Sequence, residues 1–349
     1  MPIGRLGSMV THRPRVAVFL GGPSSEHEIS LRTGALVLDR LDRSRFDPAP
    51  VFVDREQIWH FARLPFSGSD FRVAVEGGVI YRPGAGGDLP WRPEIAFLGL
   101  HGIYGEDGQI QRQLEALGIP YTGSGPAASA LAMNKVAAKE VFHRAGLPLA
   151  ADFALGAGER ATTAAQRIAA KSSGPWVVKP RDGGSSVGVQ IVATELALVA
   201  ALEAGLRDGP VLVEVFVGGR ELTCGVLEDP QTTTAAALPP TEIVPRGSGF
   251  FDFNAKYTPG ASEEITPARL STVETQRIQS LALSAHHALG CRGYSRSDFI
   301  LSPHQGLVLL ETNTLPGLTE TSLLPQEAAA LGISYPALLT WLLTSALQT

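Results

Sequence analysis

The sequence predicts an α/β fold, because short apolar stretches suited to strands alternate with amphipathic stretches suited to helices. The first buried-looking strand, VAVFL at 16–20, is followed by the helical pattern GALVLDRL. The second, EIAFLGL at 94–100, is followed by IQRQLEAL, in which Ile110, Leu114 and Leu117 recur at helical spacing. A chain of 349 residues is long enough for two or three domains.

The remaining elements follow the same alternation. Between the first two strands, residues 55–92 are rich in Gly, Pro and Arg and are expected to hold a surface hairpin. AASALAMNKVAAKEVFHRAG predicts one long helix, which Gly146 and Pro148 end. Strand PWVVKP, a glycine-rich loop, strand VGVQIV, helix TELALVAALEAGL and strand VLVEVF come next. From about 215, strands ELTCGVL, SDFIL and LVLLE lead to the terminal helix PALLTWLLTSAL, and no internal repeat is present.

The composition argues against several classes of function. A formal net charge of −5 disfavours nucleic acid as a partner, since binding its phosphates needs clustered basic residues. Cys224 and Cys291 form neither a CxxC motif nor a disulfide framework, so we expect both to be buried in a reducing compartment. No stretch approaches the roughly 20 apolar residues of a membrane span, and the N-terminus lacks the apolar core of a signal peptide. We therefore expect a cytoplasmic protein.

The segment VVKPRDGGSSVG (177–188) could hold an anion. A lysine at a strand end and unpaired N–H groups in a glycine turn together form a cradle for phosphate. In a Walker loop the lysine follows the glycines and a helix comes next. Here Lys179 precedes Gly183 and Gly184, and a strand-like stretch follows, which suggests a hairpin lid over phosphates. An ordinary glycine turn beside a surface lysine explains these residues equally well.

Two neighbouring strands of the third region carry oxygen ligands. Asp298 is expected to start one strand, and Glu311 and Asn313 lie two residues apart at the end of the next. Residues i and i+2 of a strand point to the same face, so all three side chains could converge. Two carboxylates and an amide suit Mg²⁺ that keeps water and nucleotide phosphates as its other ligands. A strand-end aspartate followed by an Asx turn is the alternative.

The loop FLGGPSSEHEIS (19–30) joins a strand, two glycines and a helix in the manner of a phosphate-binding loop. Its charged residues, Glu26 and Glu28, have the wrong sign for phosphate. The alternative to a ligand site is that both glutamates complement the positive end of the helix dipole.

Two further loops are ambiguous by themselves. LHGIYGEDGQIQ (100–111) places His101, Glu106 and Asp107 after a strand, where GEDG could equally be a turn that caps the next helix. FFDFNAKYTPG (250–260) is either a lid whose tip reaches a nucleotide or a flap packed on its own domain.

Taken in order, these segments resemble the D-alanine–D-alanine ligases of the ATP-grasp superfamily over roughly residues 16–340. The motifs are GGPSSEHEIS, HGIYGEDG, GIPYTGSG, MNK, VVKPRDGGSSVG, EVFVGGRE, AKYTPG, GYSRSDF and ETNTLPGLTETSLLP. The resemblance implies a Rossmann-like pre-ATP-grasp domain at 1–123 that carries the first-substrate loop. It also implies a central ATP-grasp subdomain with a glycine-rich lid at 124–214 and a C-terminal subdomain with the metal and second-substrate sites at 215–349.

The resemblance assigns roles residue by residue. Glu26 would pair with the ammonium group of the first D-alanine and reach Ser185 and Tyr257, with His101 nearby. Arg296 and Gly317 would stabilise the oxyanion, and Ser322 and Leu323 would lie near the carboxylate of the second substrate. Asp298, Glu311 and Asn313 match the ligands of two Mg²⁺ ions, which Mn²⁺ can replace. The ATP contacts would be Lys135, Lys179, Ser185, Glu214, Val217 (through its backbone), Glu221 and the loop residue Lys256.

The implied reaction joins two D-alanine molecules at the expense of ATP through a D-alanyl phosphate, in a cytoplasmic homodimer. A D-alanine–D-lactate ligase is the main alternative, and Tyr257 in the lid loop favours the dipeptide product. Another ATP-grasp ligase and a non-catalytic nucleotide or amino-acid sensor are further alternatives. Against the family pattern, Asn134 replaces an aspartate, with a helix-capping charge lost, and Val215 replaces a lysine beside the adenine. Thr312, between two metal ligands, is expected on the opposite strand face.

Overall fold

The computed structural model describes residues 12–61, 75–76, 79–82, 89–184, 187–245 and 262–348. Within these residues the chain forms a mixed α/β fold with four β-sheets, as the alternating pattern predicts.

The N-terminal region is built on a four-stranded sheet in the order β3-β2-β1-β7. Strand β1 pairs in parallel with both of its neighbours, β2 and β7. Such a strand is covered on both faces, which explains why Val16–Leu20 is continuously apolar and fully buried. The elements of this region are β1 Arg15–Gly21, α1 His27–Arg40, β2 Asp47–Val53, β3 Trp59–Phe61, β4 Val75–Glu76, β5 Val79–Arg82, β6 Leu89–Trp91, β7 Ile95–Leu98 and α2 Gln109–Ala116. Strands β4, β5 and β6 form a small antiparallel sheet, so the predicted hairpin has a third strand.

The central region contains an antiparallel sheet in the order β10-β9-β11-β8. Helices α5 and α6 bury one face of it, with Ile168, Leu198 and Leu202 fully buried. The strand predicted for VGVQIV is limited to its last three residues, since 187–188 form a turn. The elements are α3 Pro126–Met133, α4 Lys135–Arg144, β8 Asp152–Leu155, α5 Ala161–Ala169, β9 Trp176–Pro180, β10 Gln190–Val192, α6 Glu195–Asp208 and β11 Val211–Val215.

The prediction of one long helix across MNK is wrong, because the chain breaks between α3 and α4. Asn134 has φ −84° and ψ 96°, which is extended backbone, and its side chain accepts a hydrogen bond from the Ala137 N–H. A short amide side chain that caps a new helix competes with continuing the old one. The capping role expected at this position is therefore confirmed, and the break makes Lys135 the first residue of α4.

The C-terminal region contains a six-stranded antiparallel sheet in the order β15-β14-β12-β16-β17, with β13 paired to β12. Asp298 lies in the middle of β16, so the expectation that it starts the strand is wrong. Helix α9 packs its Leu338, Leu342 and Leu343 into the same core as the N-terminal sheet. The elements are β12 Arg220–Glu228, β13 Ala235–Ala237, β14 Thr241–Pro245, β15 Ser262–Ile265, α7 Thr272–Leu289, β16 Tyr294–Ser302, β17 Gly306–Asn313, α8 Leu323–Ala330 and α9 Tyr335–Ala346.

Over the described residues, no single helix is both long and apolar enough to cross a membrane. Helices α8 and α9, which meet at 102°, pass that test of length and composition only when they are taken together.

Candidate active site

Two adjoining cavities lie among the N-terminal, central and C-terminal regions of the described chain. The first, of about 370 Å³, is enclosed by β9, β11, β12, β14 and the β16–β17 pair. The second, of about 960 Å³, reaches from the loop before α1 to the start of α8. Both cavities share Lys135, Glu221, Asp298 and Glu311 as lining residues. A group bound in one cavity can therefore meet a group bound in the other at this shared wall.

The first cavity collects the described residues that were expected to contact ATP. Its walls mix valine side chains with glycines, which suits a flat heterocycle, and charged side chains from several strands also line it. The predicted residues in its lining are Lys135, Lys179, Glu214, Val217 and Glu221.

A buried ion-pair chain fixes the lysine at the end of β9. Lys179 Nζ lies 2.7 Å from Glu214 Oε2, and Lys139 Nζ lies 2.6 Å from Glu214 Oε1. Burial alone would raise the pKa of Glu214, but the charges of Lys179 and Lys139 outweigh burial and lower it to about 2. Glu214 is therefore a carboxylate at neutral pH, and both of its oxygens hold lysines.

Lys135 lies where the two cavities meet. Its ammonium group donates to the Gly183 carbonyl of the glycine-rich turn. Burial lowers the pKa of Lys135, the Glu311 carboxylate opposes this, and the neighbouring Lys179 lowers it further. Lys135 at the shared wall and Lys179 in the first cavity together provide the positive field that a polyphosphate needs.

The three residues predicted to bind metal do come together. Asp298 and Glu311 are cross-strand partners of β16 and β17, and a bulge follows directly after Asp298. Asn313 Nδ2 lies 3.2 Å from Asp298 Oδ2. Thr312 points to the opposite face, as predicted, where its hydroxyl is 2.8 Å from the buried Ser297 hydroxyl. Among the residues that the structure describes, no group of three or more His, Cys, Asp or Glu side chains is placed to hold a metal, so this set rests on two carboxylates and an amide.

Arg296 and Asp298 form a two-pronged ion pair on β16. The guanidinium donates from Nε to Asp298 Oδ1 and from an Nη to Oδ2, each at 2.9 Å. Thr223, the cross-strand partner on β12, donates its hydroxyl to Oδ1 at 2.8 Å. Burial lowers the pKa of Arg296, but Asp298 more than compensates, so the pKa lies above its usual value. The fork fixes the direction of the arginine at the floor of the second cavity.

The first loop turns its glutamate inward. Glu26 precedes α1 but makes no capping hydrogen bond with its side chain, which lines the second cavity. A Cβ built on Gly102 would lie 3.0 Å from Glu26 Oε2, and one on Gly184 would lie 3.8 Å from the same oxygen. The carboxylate thus lies beside both the 101–102 turn and the glycine-rich turn. Glu28 occupies the first turn of α1 instead, where it complements the helix dipole as expected.

His101 is buried beside Glu26. Its Nε2 is 3.0 Å from the Thr33 hydroxyl. Burial lowers the pKa of His101, and the charge of Glu26 opposes that shift. A neutral imidazole at neutral pH follows, which orients neighbouring groups without adding charge.

The far end of the second cavity is formed by the start of α8. Ser322 caps the turn before the helix, where its hydroxyl is 2.8 Å from the Thr319 hydroxyl and accepts the Thr319 N–H at 3.1 Å. A Cβ on Gly317 would come within 2.9 Å of Ser322 Oγ, so only glycine leaves the Gly317 backbone room here. Gly317, Ser322 and Leu323 all line this end.

Sequence reasoning missed one charged residue of the site, Lys139, and named another, Glu106, without giving it a role. Lys139 lies one helical turn after Lys135, a spacing that places both on one face and could have identified it. Glu106 lines the second cavity, and burial together with the charge of Glu26 raises its pKa to about 8. Asp107, beside it, is engaged locally: it accepts the backbone N–H groups of Tyr104 and Gln109 and the Gln109 side-chain amide.

Three predicted site residues lie outside the described residues. They are Ser185 of the glycine-rich turn and the lid-loop pair Lys256 and Tyr257.

Known proteins are similar to this chain in both sequence and fold. The family model for the D-ala D-ala ligase N-terminus matches residues 15–124, and the model for the C-terminus matches residues 141–344. A D-alanine--D-alanine ligase of Syntrophobacter fumaroxidans is 42% identical over 347 residues, which cover 97% of this chain and all of that protein.

Solved structures agree. The VanG D-Ala:D-Ser ligase of Enterococcus faecalis superposes with a TM-score of 0.84 at 29% identity, covering 97% of this chain and 100% of that one. The D-alanine--D-alanine ligase of Bacillus anthracis complexed with ATP superposes with a TM-score of 0.73 at 28% identity, covering 96% and 98%. These neighbours have the ATP-grasp fold, which confirms the predicted fold class. The chain belongs to the D-alanine–D-alanine ligase family.

Proposed function

We propose that this protein is an ADP-forming ligase that joins two D-alanine molecules into D-alanyl-D-alanine for peptidoglycan precursors. The observation that carries the proposal is the shared wall of the two cavities. On one side of this wall the first cavity contains anion-binding lysines, and on the other side the second cavity contains Arg296 and Glu26. Curated relatives called D-alanine--D-alanine ligase, 42–43% identical over most of the chain, support this choice of substrate.

The first cavity would hold ATP, with the heterocycle against Val217 and the ribose near Glu221. Lys135 and Lys179 would neutralise the phosphates, and the fixed Glu214 carboxylate would hold Lys179 in place before ATP arrives. Pre-placed cations stabilise the charge that moves during phosphoryl transfer without reorganising at that moment. Lys256 would add a third cation from the lid loop.

The first D-alanine would bind with its ammonium on Glu26 and its carboxylate toward Arg296. One carboxylate oxygen attacks the γ-phosphorus of ATP, the bond to the bridging oxygen breaks, and ADP leaves. The product is a D-alanyl phosphate, whose leaving group is phosphate instead of oxide. Activation of this kind is what makes a carboxylate an acyl donor.

The second D-alanine would bind with its carboxylate at the N-terminal end of α8, near Ser322 and Leu323. Its amine, once it has lost a proton, attacks the acyl carbon. Arg296 and the Gly317 N–H are the groups placed to stabilise the oxyanion of the tetrahedral intermediate. Collapse expels phosphate and leaves the peptide bond. Ser185 and Tyr257 would close the site over Glu26, which protects the acyl phosphate from water.

Metal binding fits the residues at the shared wall. Asp298, Glu311 and the amide oxygen of Asn313 are hard oxygen ligands on one face of the β16–β17 pair, a set that suits two Mg²⁺ ions, or Mn²⁺ in their place. When bound, the ions would supply charge neutralisation for the transferred phosphoryl group.

Three further features complete the proposal: the division into regions, the oligomeric state and the compartment. The chain would divide into regions at 1–123, 124–214 and 215–349, act as a homodimer, and work in the cytoplasm without a membrane or nucleic-acid partner. Size-exclusion chromatography with light scattering tests the dimer: a monomer at micromolar concentration would contradict it.

The decisive test is product formation from purified protein with ATP, Mg²⁺ and D-alanine, followed by phosphate release and product mass. We expect phosphate and dipeptide in equal amounts, and little release with L-alanine. D-lactate and D-serine, each offered with D-alanine, separate the alternatives: a dominant depsipeptide or D-alanyl-D-serine product would overturn the assignment. ATP binding without turnover would favour the sensor alternative.

A further inference from the structure

Glu327 on α8 is a buried carboxyl group that the reaction does not use. Its side chain is fully buried, and its Oε2 accepts the Gly225 N–H of β12 at 2.6 Å. Its Oε1 is buried too and makes no close hydrogen bond among the described residues, with the Thr241 hydroxyl as its polar neighbour. A buried oxygen without a close hydrogen bond costs stability, so the residue calls for an explanation other than packing.

The Gly225 N–H needs this acceptor because β12 changes partners at that point. Residues Glu221–Thr223 pair with β14, and Val226–Glu228 pair with β13. Between the two ladders, the Gly225 carbonyl accepts the Leu238 N–H, but the Gly225 N–H finds no strand. Glu327 from the helix above fills the gap. An unmade bond at a buried amide would otherwise cost its desolvation.

Gly225 is matched to Glu327 in shape as well. A Cβ at Gly225 would come within 2.5 Å of both Glu327 Oε2 and Leu324 Cδ1. The absence of a side chain therefore lets α8 approach β12 closely. On its other side, Gly225 is the cross-strand partner of Arg296, so the contact joins α8 to the strand pair that carries the arginine.

The two faces of α8 have different tasks. Leu324, Glu327 and Ala328 face the sheet and are buried, whereas Leu323 and Gln326 line the second cavity. Ser322 immediately precedes the helix. Any shift of α8 on the sheet therefore moves Ser322 and Leu323 relative to Arg296.

We propose that Glu327 is a positioning residue for the acceptor subsite, the place where the second D-alanine binds. By binding the Gly225 N–H, Glu327 holds α8 on β12 and so sets Ser322 and Leu323 at their distance from Arg296. Burial raises the pKa of Glu327 to about 8, against the opposing effects of the Gly225 N–H and of Arg296. This inference rests on the proposed function only in naming the second D-alanine as the molecule that binds at this subsite.

The test compares Glu327→Gln with Glu327→Leu in the full-length enzyme. Glutamine keeps the carbonyl acceptor without charge, whereas leucine keeps much of the volume and leaves the Gly225 N–H unpaired. The rate is measured against D-alanine concentration and fitted to two successive binding steps. The fit gives one apparent dissociation constant for the first D-alanine (the donor constant) and one for the second (the acceptor constant). We expect Glu327→Leu to raise the acceptor constant roughly tenfold, with the donor constant and the KM for ATP within about twofold, and Glu327→Gln to stay near wild type.

A matched control separates positioning from general destabilisation. Leu202→Ala removes a fully buried side chain from the central core, away from α8, and should lower stability without moving the acceptor constant. An acceptor constant unchanged in Glu327→Leu would overturn the inference. So would equal rises in all three constants, or a Glu327→Gln enzyme that behaves like the leucine variant.

A second readout needs no substrate. Hydrogen–deuterium exchange of the peptides around 225 and 318–330 should quicken in Glu327→Leu and stay at the wild-type rate in Glu327→Gln. Unchanged exchange in the leucine variant would overturn the positioning role even if the wild-type protein did not ligate D-alanine. In contrast, a wild-type enzyme without D-alanine-dependent turnover would overturn only the proposed function.

Discussion

Lys139→Met is the substitution that tests the buried ion-pair chain. It removes the cation on Glu214 Oε1 and keeps an unbranched side chain of similar length in a site that is 4% exposed. Glu214 would then hold Lys179 alone, with one oxygen buried and less well compensated. We expect the substitution to lower the free energy of unfolding and to weaken ATP binding.

The size of the loss follows from the pKa of Glu214. A fall from 4.5 to about 2 corresponds to about 3 kcal/mol of preference for the charged form, which the two lysines share. Half of this, plus the cost of a less compensated buried charge, gives a loss of roughly 2–4 kcal/mol, near that measured when one partner of a buried pair is removed. Because the folded pKa is depressed, this stabilisation is present above pH 4.5 and is lost as the pH falls toward 2.

Urea unfolding at pH 7 and at pH 3 measures the effect, and steady-state kinetics give the KM for ATP. We expect the stability gap between wild type and Lys139→Met to narrow at the lower pH and the KM for ATP to rise roughly tenfold at pH 7. Lys171→Met, at an exposed lysine, is the control and should change stability by less than about 0.5 kcal/mol. A loss under 1 kcal/mol for Lys139→Met, or a gap that does not depend on pH, would refute the reasoning.

Three further predictions address the shared wall and the helix break. Arg296→Lys cannot reproduce the two-pronged bond to Asp298, so kcat should fall roughly 100-fold or more while the KM for ATP stays unchanged. A fall in kcat of less than about threefold, measured in fixed-time phosphate-release assays, would contradict this. Glu311→Gln should abolish turnover and weaken Mn²⁺ binding measured by electron paramagnetic resonance, and unchanged Mn²⁺ binding would contradict a ligand role. Asn134→Ala should cost about 1 kcal/mol in thermal unfolding because the cap of α4 is lost, whereas Asn134→Asp should keep it; equal stability of both variants would argue against the cap.

Local patterns predicted the elements of the fold well where one period dominated. The strand VAVFL and helix α1 follow directly from their apolar spacing. The helix break at Asn134 did not, because alanine-rich flanks on both sides favour helix and only the capping bond opposes them. Apolar spacing contains no term for that bond.

The site shows the same division. The ordered motifs contain the residues that the two cavities share, Lys135, Glu221, Asp298 and Glu311, although Asp298 lies in the middle of its strand. No motif contains Lys139 or Glu327 together with its partner, because Glu214 and Gly225 lie 75 and 102 residues away in sequence. Lys139 could be suspected only from its helical spacing to Lys135, and Glu327 had no such signal. Only the folded chain brings these pairs together, through the ion pair between α4 and β11 and the packing of α8 on β12.

The most direct test of the reaction follows oxygen atoms. D-alanine labelled with ¹⁸O in its carboxylate is incubated with the enzyme, ATP and Mg²⁺, and the released phosphate is analysed by mass spectrometry. An acyl phosphate intermediate transfers one carboxylate oxygen of the donor to phosphate, so we predict one ¹⁸O in each phosphate and one fewer in the new peptide carbonyl. Dipeptide formed with unlabelled phosphate would contradict the account.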